Sequence, residues 1–310
     1  MKILIVQIGR YGDMILTTPM FREIHRHHPS AELHVLASRR NYHIIEHHPR
    51  VKKVWVYSKK IGSLLKLLYS LRSEHFDVWI DPKDHASREG SLLAALCGAA
   101  TKIGYNSEKH QAFTLPLPPE YPQTYHQTEI NCAALEVLHV PAEDTLPELY
   151  PLEDSENYVR HAVDGFRPYV VVNISSGNVS RALPLEKWEA ICAAVRRPVF
   201  LNYMPNDAEL AASIERSNSS VHRFESRSIH DAVSLIRQAD ALISPDTAAI
   251  HIASAFGVPT IGLYPAIDWN YYKFRPLSPQ SAVLRPAPES DGIRDIPLDK
   301  ILATIEQFAC

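Results

Sequence analysis

Residues 244–265 read SPDTAAIHIASAFGVPTIGLYP. The apolar Ala241, Leu242 and Ile243 just ahead of them predict a buried strand, the pair Asp246 and Thr247 predicts a helix cap, and residues 260–263 predict the next parallel strand. A helix N-terminus then sits at the carboxyl edge of a strand. Its unpaired backbone N–H groups and the positive end of its dipole suit a diphosphate.

A second unit of the same kind stands near residue 1. Residues 2–8, KILIVQI, run into Gly9, Arg10, Tyr11, Gly12 and Asp13, then into a helical pattern over 14–28. Strand, glycine turn and helix recur in separate halves, which predicts two Rossmann-like domains, one holding a nucleotide and the other a reactive carboxylate.

The chain of 310 residues is long for one core, and a 45% hydrophobic fraction is enough to bury two. Short apolar runs at 3–8, 33–37, 53–56, 78–80 and 102–104 alternate with amphipathic segments, clearest at 13–28 and 61–72, as in a parallel sheet covered on both faces. A proline-rich passage at 115–122 predicts a surface loop, followed by a helix over 127–138. Residues 141–167 suit a connection between domains. A second sheet is expected from 169–174, 198–202, 241–244 and 259–263, with helices at 185–195, 207–217, 230–238 and 297–308. The predicted division is 1–150, 168–296 and a terminal helix in 297–310.

No apolar run approaches the roughly 20 residues that span a bilayer, and residues 1–8 are too short for the core of a signal peptide. A cytoplasmic chain is expected. Cys97, Cys132, Cys192 and Cys310 have no paired spacing and read as reduced thiols. The 16 histidines, including His25, His27, His28, His47 and His48, show no metal-ligand spacing. Residues 81–84, DPKD, do not form a D-x-D pair, so no metal is expected. Gly9 and Gly12 do not complete G-x-G-x-x-G, which argues against a dinucleotide oxidoreductase.

Net charge is −3, yet residues 1–115 carry 17 Lys and Arg against 10 Asp and Glu, leaving 15 against 25 in the remainder. Arg39, Arg40, Arg50, Lys52, Lys53, Lys59 and Lys60 suit an anionic partner or a membrane surface, although any single pair reads first as a solvated face. No nucleic-acid motif accompanies them.

Gly12 and Asp13 followed by Thr17, Thr18 and Pro19, the stretch from Asn173 to Trp188, and Asp246 and Thr247 with His251, Val258 and Pro259 together resemble glycosyltransferase family 9, the bacterial heptosyltransferases of the lipopolysaccharide inner core. The resemblance covers most of the chain. It implies a GT-B architecture, two Rossmann-like α/β domains with parallel sheets facing across a cleft, the terminal helix packing across the domain interface. It also implies an inverting transfer of heptose from ADP-heptose, the donor substrate, without cofactor or metal. The acceptor would be anionic, bearing lipid A phosphates and Kdo carboxylates at the cytoplasmic face of the inner membrane.

By that resemblance Asp13 is the catalytic base, where an isolated Gly-Asp pair would read as a helix cap. Arg10, Gly12, Thr17, Lys59 and Lys60 are expected at the acceptor. Ser175, Ser176 and Arg181, the last in place of the family's lysine, are expected at the donor phosphates. Asp207, with Glu209 next, would hold the ribose. Asp246 would contact the sugar, His251 would line its pocket, and Thr247, Ala248 and Ala249 would offer backbone N–H groups, with Ala248 standing where the family has glycine. Trp188 reads as a core anchor. A sugar-nucleotide epimerase on the same fold, or a family member acting only as a binding protein, would share much of this pattern.

Overall fold

The computed structural model describes every residue except Pro119, Asp291, Ala309 and Cys310. The expectations for Pro119 in the proline-rich passage, for the Cys310 thiol and for the end of the terminal segment therefore lie outside the described residues. The chain divides into two compact units, Met1–Tyr150 and Pro151–Cys310.

In the first unit the strands β1 (Lys2–Gln7), β2 (Glu32–Ser38), β3 (Lys53–Tyr57), β4 (Val78–Ile80), β5 (Thr101–Gly104) and β6 (Leu115–Pro116) form one parallel sheet in the order β3-β2-β1-β4-β5-β6. Ile3, Leu4, Ile5 and Val6 are all fully buried, as a strand covered on both faces requires. Ile3 pairs with Leu33 on one side and with Val78 on the other. The winding therefore reverses between β1 and β4, and the carboxyl ends of these two strands frame the crevice where such sheets take ligands.

The helical pattern over 14–28 is not one helix. It breaks into α1 (Tyr11–Ile15) and α2 (Thr18–His27), because Pro19 has no N–H to give the carbonyl of Ile15. The Thr18 hydroxyl donates to that carbonyl instead, at 2.7 Å. The helices α3 (Ile61–Ser73), α4 (Arg88–Cys97) and α5 (Gln127–Ala133) complete the unit. The described residues of the proline-rich passage form a loop except for β6, a two-residue edge strand too short to leave a pattern.

The second unit opens with α6 (Glu153–Ala162), inside the stretch expected to be a connection. Ser155 and Val159 are its only buried residues, so few apolar positions mark it in the sequence. Six strands follow: β7 (Val170–Asn173), β8 (Val199–Asn202), β9 (Val221–Arg223), β10 (Ala241–Pro245), β11 (Thr260–Leu263) and β12 (Ser281–Leu284). All are parallel, in the order β12-β11-β10-β7-β8-β9, the winding of the first sheet repeated. The switch point here falls between β7 and β10.

The second unit's helices are α7 (Leu185–Ala194), α8 (Ala208–Ser217), α9 (Ile229–Arg237), α10 (Ala248–Phe256), α11 (Asp268–Phe274) and α12 (Leu298–Gln307). Trp188 lies fully buried among Val170, Val172, Leu201 and Ile243, and Ile301 and Ile305 of α12 join the same core. Removing a buried indole of this kind costs about 3–5 kcal/mol. Gly257, at φ 66°, ends α10 in the left-handed conformation, and the N–H of Val258 returns to the carbonyl of Ala253 at 3.0 Å.

Candidate active site

In the first unit β1 delivers the chain into a tight turn at the switch point. Arg10 takes the cap position of α1 and Asp13 is its third residue. The carboxylate reaches back to accept the backbone N–H of Arg10 at Oδ2, 2.7 Å away, and Oδ1 has no hydrogen-bond partner among the described residues. Gly9 makes this possible, since a Cβ there would fall 2.4 Å from Oδ2.

The turn is held from β2. The Ser38 hydroxyl donates to the carbonyl of Gly9 at 2.9 Å, and the buried Asn41 amide donates to the carbonyls of Gln7 and Arg10 at 2.9 and 3.4 Å. Neither residue stands out in the sequence, because the sheet order that brings β2 beside β1 is what gives them their role.

Thr17, expected at the acceptor, is fully buried. Its hydroxyl donates to the carbonyl of Asp13 at 2.8 Å and accepts from the Gln7 amide at 3.0 Å. It ties the turn to the end of β1 from inside the fold. Arg10 is exposed and Gly12 half-buried on the turn itself. Lys59 and Lys60 follow β3, two strands out from β1 and so about 10 Å away by strand spacing. Lys59 pairs with Glu89 of α4 at 3.4 Å.

Asp81 directly follows β4, the other strand of the switch point, and is buried. A Cβ on Gly90 would lie 2.2 Å from its Oδ2, which sets the carboxylate against the first turn of α4. Burial pushes its pKa up, and nearby Lys83 pulls against that.

In the second unit the strand ends of β7 and β10 bring most of the predicted donor residues together. Asp246 is buried, and its Oδ2 lies 2.9 Å from the Arg181 guanidinium, which also donates to the Asp246 carbonyl at 3.0 Å. Burial raises the Asp246 pKa, while Arg181 and the neighbouring Asn270 amide oppose the rise. The Thr247 hydroxyl caps α10 by accepting from the N–H of Ala249 at 3.3 Å. The Ala249 N–H is thus already used, whereas that of Ala248 lies in the first turn, where a helix supplies no partner.

The Asn173 amide ties these parts together. It donates to Ser244 Oγ at 3.0 Å, to Thr247 Oγ1 at 3.1 Å and to the carbonyl of Ser175 at 3.2 Å, and its own oxygen accepts from Asn202 at 2.9 Å. The Ser175 hydroxyl donates to the Asp207 carboxylate and accepts the N–H of Met204 at 2.7 Å. Ser176 instead turns to the carbonyl of Asn178, at 3.0 Å. Lys187 is spent on the carbonyl of Ile296 at 2.7 Å.

His251 is buried on α10, and its Nδ1 has no hydrogen-bond partner among the described residues. Burial, reinforced by the charge of Arg181, drives its pKa down to about 3. The ring is neutral at physiological pH and can only donate or accept a hydrogen bond. Among the described residues no group of three or more His, Cys, Asp or Glu is placed to hold a metal ion.

A family profile described as glycosyltransferase family 9 (heptosyltransferase) matches residues 64–292. The lipopolysaccharide heptosyltransferase 3 of Escherichia coli strain K12 is 25% identical over 291 residues, covering 85% of this chain and 82% of the relative. The fold superimposes on a crystal structure of a family 9 glycosyl transferase from Veillonella parvula with a TM-score of 0.87, at 17% identity over 99% of this chain and 97% of that one. The ADP-heptose lipopolysaccharide heptosyltransferase II of E. coli gives a TM-score of 0.81 at 19% identity, over 100% and 98%.

Proposed function

We propose that this chain, which belongs to glycosyltransferase family 9, moves a heptose from ADP-heptose to the inner core of lipopolysaccharide with inversion at the anomeric carbon. The donor and acceptor follow those named for its relatives. The observation that carries the reading is Arg181 set beside the start of α10 at the second sheet's switch point. Charge builds on a departing diphosphate, and a guanidinium with a helix N-terminus is the arrangement that stabilises it.

In this reading the acceptor hydroxyl attacks the anomeric carbon as the bond to the phosphate oxygen breaks. The electron pair leaves with ADP. Asp13 accepts the hydroxyl proton, for which its Oδ1 is the available oxygen. The helix start and Arg181 carry the leaving-group charge without a divalent ion. Asp246 and the neutral His251 meet sugar hydroxyls, and Asp207 meets the ribose, because a carboxylate accepts from both of its hydroxyls. Arg10 and Gly12 face the acceptor. Three described cysteines are buried free thiols, which supports a reducing, cytoplasmic setting.

The test is the purified chain with ADP-heptose and a heptose-deficient lipopolysaccharide acceptor. Expected are ADP release and an acceptor heavier by one heptose, at a rate that a chelator leaves unchanged. Donor intact after incubation with no acceptor separates a transferase from an epimerase. No acceptor product from ADP-heptose would overturn the proposed donor and acceptor pair.

A further inference from the structure

Helix α3 is apolar on two sides. Leu67 and Leu71 are buried, and they pack with Leu64 and Leu68 on a core that includes Leu4, Trp55 and Trp79. A second stripe, Ile61, Leu65 and Tyr69, recurs every four residues and is 78%, 62% and 77% exposed. α4, packed against α3, adds Leu92 and Leu96 one turn apart, at 57% and 42%. Single exposed apolar residues need no explanation, but a periodic stripe on a helix whose inner face is already filled does.

The charges around the stripe choose its cover. α3 contains Lys66 and Arg72 and no acidic residue, and Lys59 and Lys60 lead into it. Lys60 and Lys66 make no ion pair among the described residues, and Lys59 meets only Glu89, at 3.4 Å with its own side chain 81% exposed. A two-fold dimer through this stripe would set lysines against lysines. An anionic bilayer surface attracts the same lysines while leucine and tyrosine side chains enter its interface.

We infer that the Ile61–Leu65–Tyr69 stripe of α3, with Lys59, Lys60 and Lys66 around it, docks this protein on an anionic lipid bilayer. The inference rests on the proposed lipid-borne acceptor for its purpose, and it assigns Lys59 and Lys60 to the membrane rather than to the acceptor sugar.

The experiment is sedimentation of the full chain with phosphatidylcholine vesicles, with and without phosphatidylglycerol, in the absence of donor and acceptor. Binding is expected only with the anionic lipid and falls as salt rises. The triple variant Ile61→Ser, Leu65→Ser, Tyr69→Ser is expected to bind at least about tenfold more weakly, with its thermal midpoint unchanged because these side chains are exposed. Its transfer rate to a delipidated core oligosaccharide stays at the wild-type value, so failure of docking and failure of the transferase reading are read separately. Wild-type protein that ignores anionic vesicles, or a triple variant that binds them equally, overturns the inference. So does a wild-type dimer that the triple variant dissolves, which would give the stripe to a second copy.

Discussion

The carboxylate of Asp13 lies over Gly9 so closely that a methyl group on Gly9 would stand 2.4 Å from Oδ2 and 3.0 Å from Cγ. The carboxylate and the glycine behind it are one unit, set by contact rather than by chain direction.

Gly9→Ala should therefore act on the chemistry. The new Cβ pushes the Asp13 side chain away from the Arg10 N–H, and a displacement near 1 Å is expected to lower kcat by about 10²-fold. Steady-state kinetics would check this, with ADP affinity unchanged because the proposed donor residues lie in the other unit.

Asp13→Asn keeps the shape and removes the proposed base. Turnover should fall by about 10² to 10⁴ while the protein folds and binds ADP as before. Thermal shift with ADP and a single-turnover assay separate the two effects. Wild-type turnover would dismiss Asp13.

How much of this was legible in the sequence differs between the turns and what holds them. The β10–α10 segment announced itself through the apolar run before it, the Asp246 and Thr247 cap and the strand pattern after it, all local signals. The β1 turn did so through Gly9, Gly12 and Asp13. Asn41 gave no sign, and Asn173 marked only the start of a matched stretch, since each is an ordinary polar residue until the strand order places it against a turn far away in sequence. The burial of Thr17, expected at the acceptor, depends on the fold in the same way, its hydroxyl bonding Gln7 and Asp13 inside it. The edge strands β6, β9 and β12 escaped because two to four residues with few neighbours carry little alternation.

Arg181 and Asp246 form the second relationship open to test. Arg181→Ala leaves the buried carboxylate without its cation, which should lower stability by roughly 1–3 kcal/mol and weaken donor binding. Arg181→Lys retains the charge but not the two-point contact, and an intermediate effect is expected. Denaturant titration together with KM for the donor would check both.

His251 should make stability depend on pH. Its folded pKa, about 3, lies below the ordinary 6.5, so between those values the unfolded chain binds the extra proton. Stability is therefore unaffected above about pH 6.5 and is lost as pH falls below it, with a slope of at most about 1.4 kcal/mol per unit from this group. His251→Gln removes that contribution, so the difference between wild type and variant should change from pH 7 to pH 5. An unchanged difference would mean that the ring is protonated in the fold.

At the break between α1 and α2, Thr18→Val is expected to cost roughly 1–3 kcal/mol. It leaves the carbonyl of Ile15 and the N–H of Glu148, which bonds the same hydroxyl at 2.9 Å, without partners. Thermal melting is the direct measure.

The hold of Ser38 and Asn41 on the Gly9–Arg10 turn gives those two side chains leverage over chemistry they never touch. In a comprehensive mutational screen for transfer, positions 38 and 41 should score with Asp13, the proposed base, and a kinetic defect mapping there would mark a scaffold for that carboxylate rather than a second catalytic centre.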